Sequence, residues 1–400
     1  MNNWADKNLT TLQAFIIGLL FFMPPLIRAQ TSGLSQEATI SVLTIGPGSE
    51  LADRFGHSAF RVNDPQQEID WAYNYGTYDF NTPRFYLKFV QGQLLYSLSV
   101  NYFEAFLNHY KQQNRSVNEQ VLALTNTQKN ELFAYLQWNA QPANKAYRYD
   151  FFFDNCATRI RDVLVHQLGE ELVYVEDYVV APKTFRMLIQ EQVPYNTWGS
   201  LGMDVAIGAV VDRPASAWDH QFLPKYVLAA NSIAQRKDSS GLKPLTAPTK
   251  VVFAARAEDQ VPFSWYSPMV ILSLLSSIML WMTYRDWRAN CRTPWIDAVI
   301  FGATGSIGVL LLLLWFATDH SATKMNYNIL WAMPLSLFFI RAIGAQRPQP
   351  WVGRYVLFLI LMLALMLIHQ FSGVQSFAPT LWVLWLGLTT RLLYVYRVLK

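Results

Sequence analysis

The chain is poor in cysteine, histidine and charge: two Cys, six His and 15% charged residues among 400. Two cysteines exclude a disulfide scaffold and a cysteine-rich zinc protein. An average soluble domain carries about 25% charge; this chain sits below that, and its apolar content excludes disorder. Glycine-rich phosphate loops, dinucleotide fingerprints and internal repeats are missing. No His/Cys/Asp/Glu group has a spacing suited to zinc, so neither a metal nor a cofactor is expected. No basic, aromatic-interleaved patch is present, which sets nucleic acid aside.

What the chain does have is apolar: 52% hydrophobic and 15% aromatic residues. Its formal charge of +4 averages two unlike parts. Residues 30–260 hold 20 Lys+Arg and 24 Asp+Glu, whereas residues 261–400 hold 10 and 3. The N-terminus has Lys7, an apolar run from Leu12 to Ile27, then Arg28-Ala29-Gln30. This reads as a secretory signal cleaved after Ala29, with a retained anchor helix as the alternative. Five apolar stretches follow at about 263–284, 295–317, 327–340, 355–372 and 378–396. All but the third approach the ~20 residues that cross a bilayer, and the third contains Pro334. Arg285, Arg288, Arg292, Arg341, Arg347, Arg354, Arg391, Arg397 and Lys400 fall on one side, and only Lys324 on the other. The positive-inside rule places the nine in the cytoplasm and residues 30–260 outside, in agreement with the signal.

The expected organisation is a signal peptide over 1–29, an exported α+β domain over 30–236, a linker over 237–260 and a five-span, all-α membrane domain over 261–400. Alternation and β-branched content mark strands at 38–45, 58–63, 68–75, 94–100 and 116–124. Thr125 and Gln128 form a capping box for a helix to about Trp138. An aromatic strand at 149–153 leads into a helix from Asn155 to Leu168, closed by Gly169. Pro182 and Pro224 suit the first turns of helices, and the composition of 237–250 reads as linker.

Cys156 sits in Asp154-Asn155-Cys156-Ala157-Thr158, in the first turn of that helix. Free amides and the dipole of a helix N-terminus stabilise a thiolate and can hold an oxyanion. A buried structural thiol is the commoner fate of a free cysteine. Cys291 lies on the cytoplasmic side in this topology and cannot pair with Cys156. A lone thiol in an oxidising compartment favours a nucleophile, which needs a base. Of the exported histidines, His57 follows Gly56 at a strand start; His109 and His166 fall on helices, and His220 stands in an irregular stretch. The next strand offers Asp70 and Asn74 on one face to orient the imidazole, and Asn74 is preferred.

A Gly-His on an early strand and an Asn-Cys at a helix start far downstream resemble the circularly permuted NlpC/papain-like thiol fold. More specifically, GHSAFRV, NYGTYDF, FYLKFVQGQLLYSL, Asn114-Arg115 and YDFFFDNCATRIRD, with DHSATKMNYNILW in the membrane part, resemble the Lnb family of bacterial lipoprotein N-acyltransferases. The resemblance spans most of 40–396 and is weakest over 180–250. It implies an enzyme of the inner membrane with a phospholipid as acyl donor and a diacylated lipoprotein as acceptor. Cys156 would be the nucleophile, His57 the base and Asn74 its orienter. The polar outer loop that holds Asp319, Ser321, Lys324 and Asn328 would bind substrate through His320, Thr323 and Asn326. The rivals are a membrane-tethered cysteine hydrolase and a non-enzymatic scaffold; five spans exceed what a tether requires.

Overall fold

The computed structural model describes residues 33–256 and 264–400; the expected signal segment and cleavage site lie outside the described residues. In chain order the N-terminal part runs β1 (Thr39–Ile45), β2 (His57–Asp64), β3 (Ile69–Thr77), α1 (Phe85–Val90), β4 (Leu95–Tyr102), α2 (Phe103–Gln112), β5 (Val117–Val121), α3 (Asn126–Asn139), β6 (Ala146–Arg148), α4 (Cys156–Leu168), β7 (Leu172–Val173), α5 (Phe185–Gln190), α6 (Trp198–Ala206), α7 (Pro224–Ile233), β8 (Gln235–Asp238), β9 (Gly241–Pro244) and β10 (Lys250–Phe253).

Seven strands form an antiparallel sheet in the order β10-β5-β1-β2-β3-β4-β6. β1 (TISVLTI) is central, and six of its seven residues are buried, as its β-branched, apolar sequence demands. On one face, Val42, Phe60 and Tyr73 pack with Leu136, Ile160 and Leu164 of α3 and α4. On the other, Leu43, Ala59 and Ala72 pack with Phe106 and Tyr110 of α2. Each buried Val, Leu, Ile or Phe among them contributes about 1.5–3 kcal/mol by leaving water. Thr125 and Gln128 cap α3 reciprocally, with Gln128 N–H donating to Thr125 Oγ1 at 3.2 Å and Thr125 N–H to Gln128 Oε1 at 2.9 Å.

Three expectations fail here for local reasons. Residues 149–153 turn rather than extend, because Asp150 Oδ1 accepts the Phe152 and Phe153 amides at 2.9 and 3.0 Å. The span 237–250 is not a bare linker. β8 and β9 form a hairpin, and β10 pairs with β5 at the edge of the main sheet. Pro182 precedes a helix that starts only at Phe185, whereas Pro224 does open α7.

The C-terminal part contains α8 (Pro268–Arg288), α9 (Pro294–Phe316), α10 (Pro350–Phe371) and α11 (Leu381–Leu399). A proline opens each of the first three, where its missing N–H costs nothing. These three are long and apolar enough to cross a membrane. α11 packs along α8 and α10 and has Arg391 buried within it. The third expected span, 327–340, is not a continuous helix. It is made of 3-10 turns at Tyr327–Leu330 and Pro334–Leu337, followed by a helical turn at Ile340–Ile343. Its irregular backbone lies against α9, where a Cβ on Gly308 would come within 1.9 Å of the Ala332 carbonyl oxygen. Non-helical backbone is tolerated at membrane depth when protein covers it in this way.

Candidate active site

Cys156 is the first residue of α4, and Asn155 caps that helix. The Asn155 Oδ1 accepts the Ala157 and Thr158 amides at 2.8 and 3.0 Å, and Thr158 Oγ1 accepts the Asn155 amide at 2.8 Å. The Asn155 amide group also donates to the Phe151 and Phe222 carbonyls at 2.7 and 2.9 Å. One buried side chain thus ties the turn before Cys156 to the segment before α7. His57 opens β2, paired with Ile45 of β1. Its Nε2 lies 2.5 Å from Asn74 Oδ1 on the adjacent strand β3. Asn74 Oδ1 therefore accepts a hydrogen bond from the Nε2–H of His57, and the other ring nitrogen is left for Cys156, with which His57 is hydrogen-bonded.

Gly76 reports how tightly the group is gathered. A Cβ there would lie 3.6 Å from Cys156 Cβ and 3.7 Å from His57 Cε1. The pairing of β3 with β4 shifts register between Asn74 and Thr77, a bulge of the kind that re-aims side chains beside active sites. The three residues the sequence grouped as catalytic are brought together. Asp70, the other candidate orienter, is turned to Arg61 at 2.7 Å. His109 is exposed beside Gln113, and His166 stands against Tyr135. His220 is buried against Tyr226, its Nδ1 2.7 Å from the Ser216 carbonyl.

The electrostatics favour a charge-separated pair. Burial pushes the Cys156 thiol up, but the His57 charge, the His57 hydrogen bond and the Ser58 and Ala157 amides bring it below its ordinary value. Burial pushes the His57 ring down, yet the Cys156 charge and hydrogen bonds to Cys156 and Asn74 hold it above its ordinary value. Burial and the nearby Cys156 charge push Tyr149 well up, so its hydroxyl stays protonated. A cavity of about 220 Å³ opens on Cys156 and His57, lined among others by Tyr78, Tyr96, Tyr110, Arg115, Tyr149 and Phe222. A thiol and an imidazole that favour each other's charged form, a helix start and a wall rich in aromatic rings together suit acyl transfer by way of a thioester.

Two family descriptions match this chain: "Lnb N-terminal periplasmic domain" over residues 30–191 and "Lnb transmembrane domain" over 259–400. Together they cover well over half of it.

The chain belongs to the Lnb family.

It is therefore a multi-pass membrane protein with a periplasmic domain. Searches of curated proteins and of solved structures return no match. Neither Lnb description reaches residues 192–258, yet Phe222, Leu223 and Pro224 from that span line the Cys156 cavity. Sequence reasoning overlooked Tyr110, Phe222 and Leu223 and took Pro224 only as a helix opener; Tyr78, Tyr96, Arg115 and Tyr149 stood within the quoted motifs but were given no role.

The outer loop does not enter the cavity. His320 Nε2 lies 3.0 Å from the Val90 carbonyl at the end of α1. Thr323 Oγ1 donates to the Leu314 carbonyl at 2.7 Å, and buried Asn326 donates to the Val205 and Ala206 carbonyls at 2.8 and 3.0 Å. Asp319 pairs with Arg148 of β6, and Ser321 Oγ donates to Asp150 at 2.7 Å. The Gly208 and Ala209 amides reach the Ala322 and Met325 carbonyls at 2.9 Å each. All but the Thr323 bond, which lies within the membrane domain, fasten the periplasmic domain to the membrane domain. Arg186, unnoticed in the sequence, serves the same junction. Buried, it holds Asp212 at 2.9 Å and Asp204 at 3.2 Å, and Asp212 in turn accepts the Ser376 amide at 3.1 Å.

Proposed function

We propose that this Lnb-family chain is an inner-membrane acyltransferase that N-acylates lipoproteins. The observation that carries the reading is the Asn74–His57–Cys156 relay at the capped start of α4, in a periplasmic domain bonded to its own membrane domain. The domain is read as a permuted NlpC-like thiol fold, with the histidine strand ahead of the cysteine helix in the chain. The Cys156 thiolate attacks the carbonyl carbon of a phospholipid ester, and its C–S bond forms as the C=O pair moves onto oxygen. The Asn155 cap takes the Ala157 and Thr158 amides, which leaves the Cys156 amide at the start of α4 to face that oxyanion. When the tetrahedral intermediate collapses, the ester C–O bond breaks and the His57 imidazolium gives its proton to the leaving alkoxide. A lysophospholipid departs and an acyl-Cys156 thioester remains.

The acceptor is the α-amine of a lipidated N-terminal cysteine. Its nitrogen attacks the thioester, neutral His57 takes the amine proton, and the C–S bond breaks to return thiolate and imidazolium. The product is an amide, so water must be kept from the thioester; an aromatic cavity beside a bilayer serves that end. The test is intact mass after incubating the detergent-purified protein with phospholipid, then adding an S-diacylglyceryl cysteinyl peptide. An acyl adduct on Cys156 that moves to the peptide amine is expected, with none in Cys156→Ser. Lack of any adduct with every donor class overturns the reading; free fatty acid without amide makes the protein a hydrolase.

A further inference from the structure

The surface beside the Cys156 cavity carries an unpartnered apolar strip. Phe80, Tyr86, Leu87, Phe89 and Val90 are all at least half exposed, Tyr86 to 77%. Scattered apolar residues are ordinary on a soluble domain, but a contiguous aromatic patch marks a binding or membrane surface. Its position decides which. Helix α9 ends at Phe316, itself 73% exposed, and three residues later Asp319 bonds α1. The Asp319 amide donates to the Gln91 carbonyl at 2.8 Å, and His320 lies 3.0 Å from the Val90 carbonyl. Gly92 follows at φ +69°, and a Cβ on it would come within 3.1 Å of the His320 nitrogen. α1 is thus pinned where a membrane helix emerges on the periplasmic side, and Tyr86 and Phe89 suit the interfacial depth at which aromatic rings settle.

The strip is also continuous with the cavity. Phe85 meets Phe80 at 4.8 Å and Tyr78 at 5.7 Å between ring centroids, Tyr78 meets Tyr96 at 5.3 Å, and Tyr96 stacks on Tyr149 at 4.3 Å. Tyr78, Tyr96 and Tyr149 line the same cavity as Cys156. We propose that residues 78–90 dip into the outer leaflet and lead an acyl chain of the donor lipid from the bilayer along this ring path to Cys156. The part that concerns the donor rests on the acyltransferase reading; the insertion does not.

Two measurements separate them. Phe89→Cys in a Cys156→Ser, Cys291→Ser chain, labelled with an environment-sensitive fluorophore and reconstituted in phosphatidylglycerol/phosphatidylethanolamine vesicles, should be quenched by brominated acyl chains and shielded from iodide. The opposite pattern overturns the insertion, and this readout needs no catalysis. In the Cys156-containing protein, Tyr86→Ser with Phe89→Ser should slow Cys156 acylation from vesicle phospholipid at least 10-fold more than acylation from a short-chain soluble ester. Equal slowing with both donors overturns the path. If the parent protein accepts neither donor, the acyltransferase reading fails and the quenching pattern still decides the insertion.

Discussion

His57 spends one ring nitrogen on Asn74 and turns the other to Cys156, so the two neighbours set its charge together. Asn74→Ala should slow Cys156 acylation about 10- to 100-fold, the worth of one hydrogen bond to a charged group. Time-resolved intact mass checks it; a change under two-fold would show that the ring needs no such anchor. The pair also fixes a pH dependence. The thiol is held below its ordinary value and the imidazole above its own, each by the charge and hydrogen bond of the other, so each favours its neighbour's charged form. Iodoacetamide should alkylate Cys156 in a Cys291→Ser chain at pH values well below about 8.5, the range of a free thiol. In His57→Ala, burial acts on the thiol without the opposing charge, so the acid limb of that profile should move to higher pH. At this scale the sequence was legible where local rules apply. The nucleophile announced itself through its helix start, and Asn74 through its place on the strand beside His57. Phe222 and Tyr110 were not legible, because they reach the cavity only through long-range packing that leaves no periodic trace.

The helix that presents Cys156 depends on one side chain for both its cap and its tie to the segment before α7. Asn155→Ala removes a cap worth about 1 kcal/mol and leaves the buried Phe222 carbonyl and the partly buried Phe151 carbonyl without their donor. A loss of about 2–4 kcal/mol is expected in denaturant unfolding of the detergent-solubilised protein, and Asn155→Ser, which keeps the cap, should recover only part of it. Elements with strong local signals were readable from the chain: the Thr125 capping box, the alternation of β1 to β4, the proline-opened membrane helices. Those that fail do so where a side chain or a distant strand overrules composition. Asp150 folds an aromatic run into a turn, and β10 becomes a strand because β5 offers it an edge. The outer loop shows the same limit. Its polar residues could be seen, but that they bond α1, α6 and β6 could not be foreseen from a run of hydrophilic letters.

Across the whole molecule, the charge pattern reads as a record of topology. One end of the membrane domain carries the loop bonded to the periplasmic domain. The other gathers Asp286, Asp297, Arg292 and Arg391, with Arg391 2.6 Å from Asp297 and 2.8 Å from Asp286. Arg391→Met removes one of the two cations on each of two buried carboxylates, Asp297 keeping Arg292 and Asp286 keeping Arg285, so the cost should fall below the about 3–5 kcal/mol of a wholly unpaired buried charge, read as earlier thermal aggregation in detergent; an unchanged midpoint would mean that solvent reaches the cluster. The excess of arginine predicted which end faces the cytoplasm. In intact spheroplasts a membrane-impermeant maleimide should accordingly leave Cys291, exposed in the turn after α8, unlabelled until the membrane is opened. What composition could not disclose is where the periplasmic domain ends. A soluble fragment stopped at residue 236 would lose β9 and β10 and leave β5 as a bare outer strand, with unpaired amides open to any other copy. Such a fragment should form strand-to-strand aggregates, whereas one that runs on through residue 256 keeps its own guard rail.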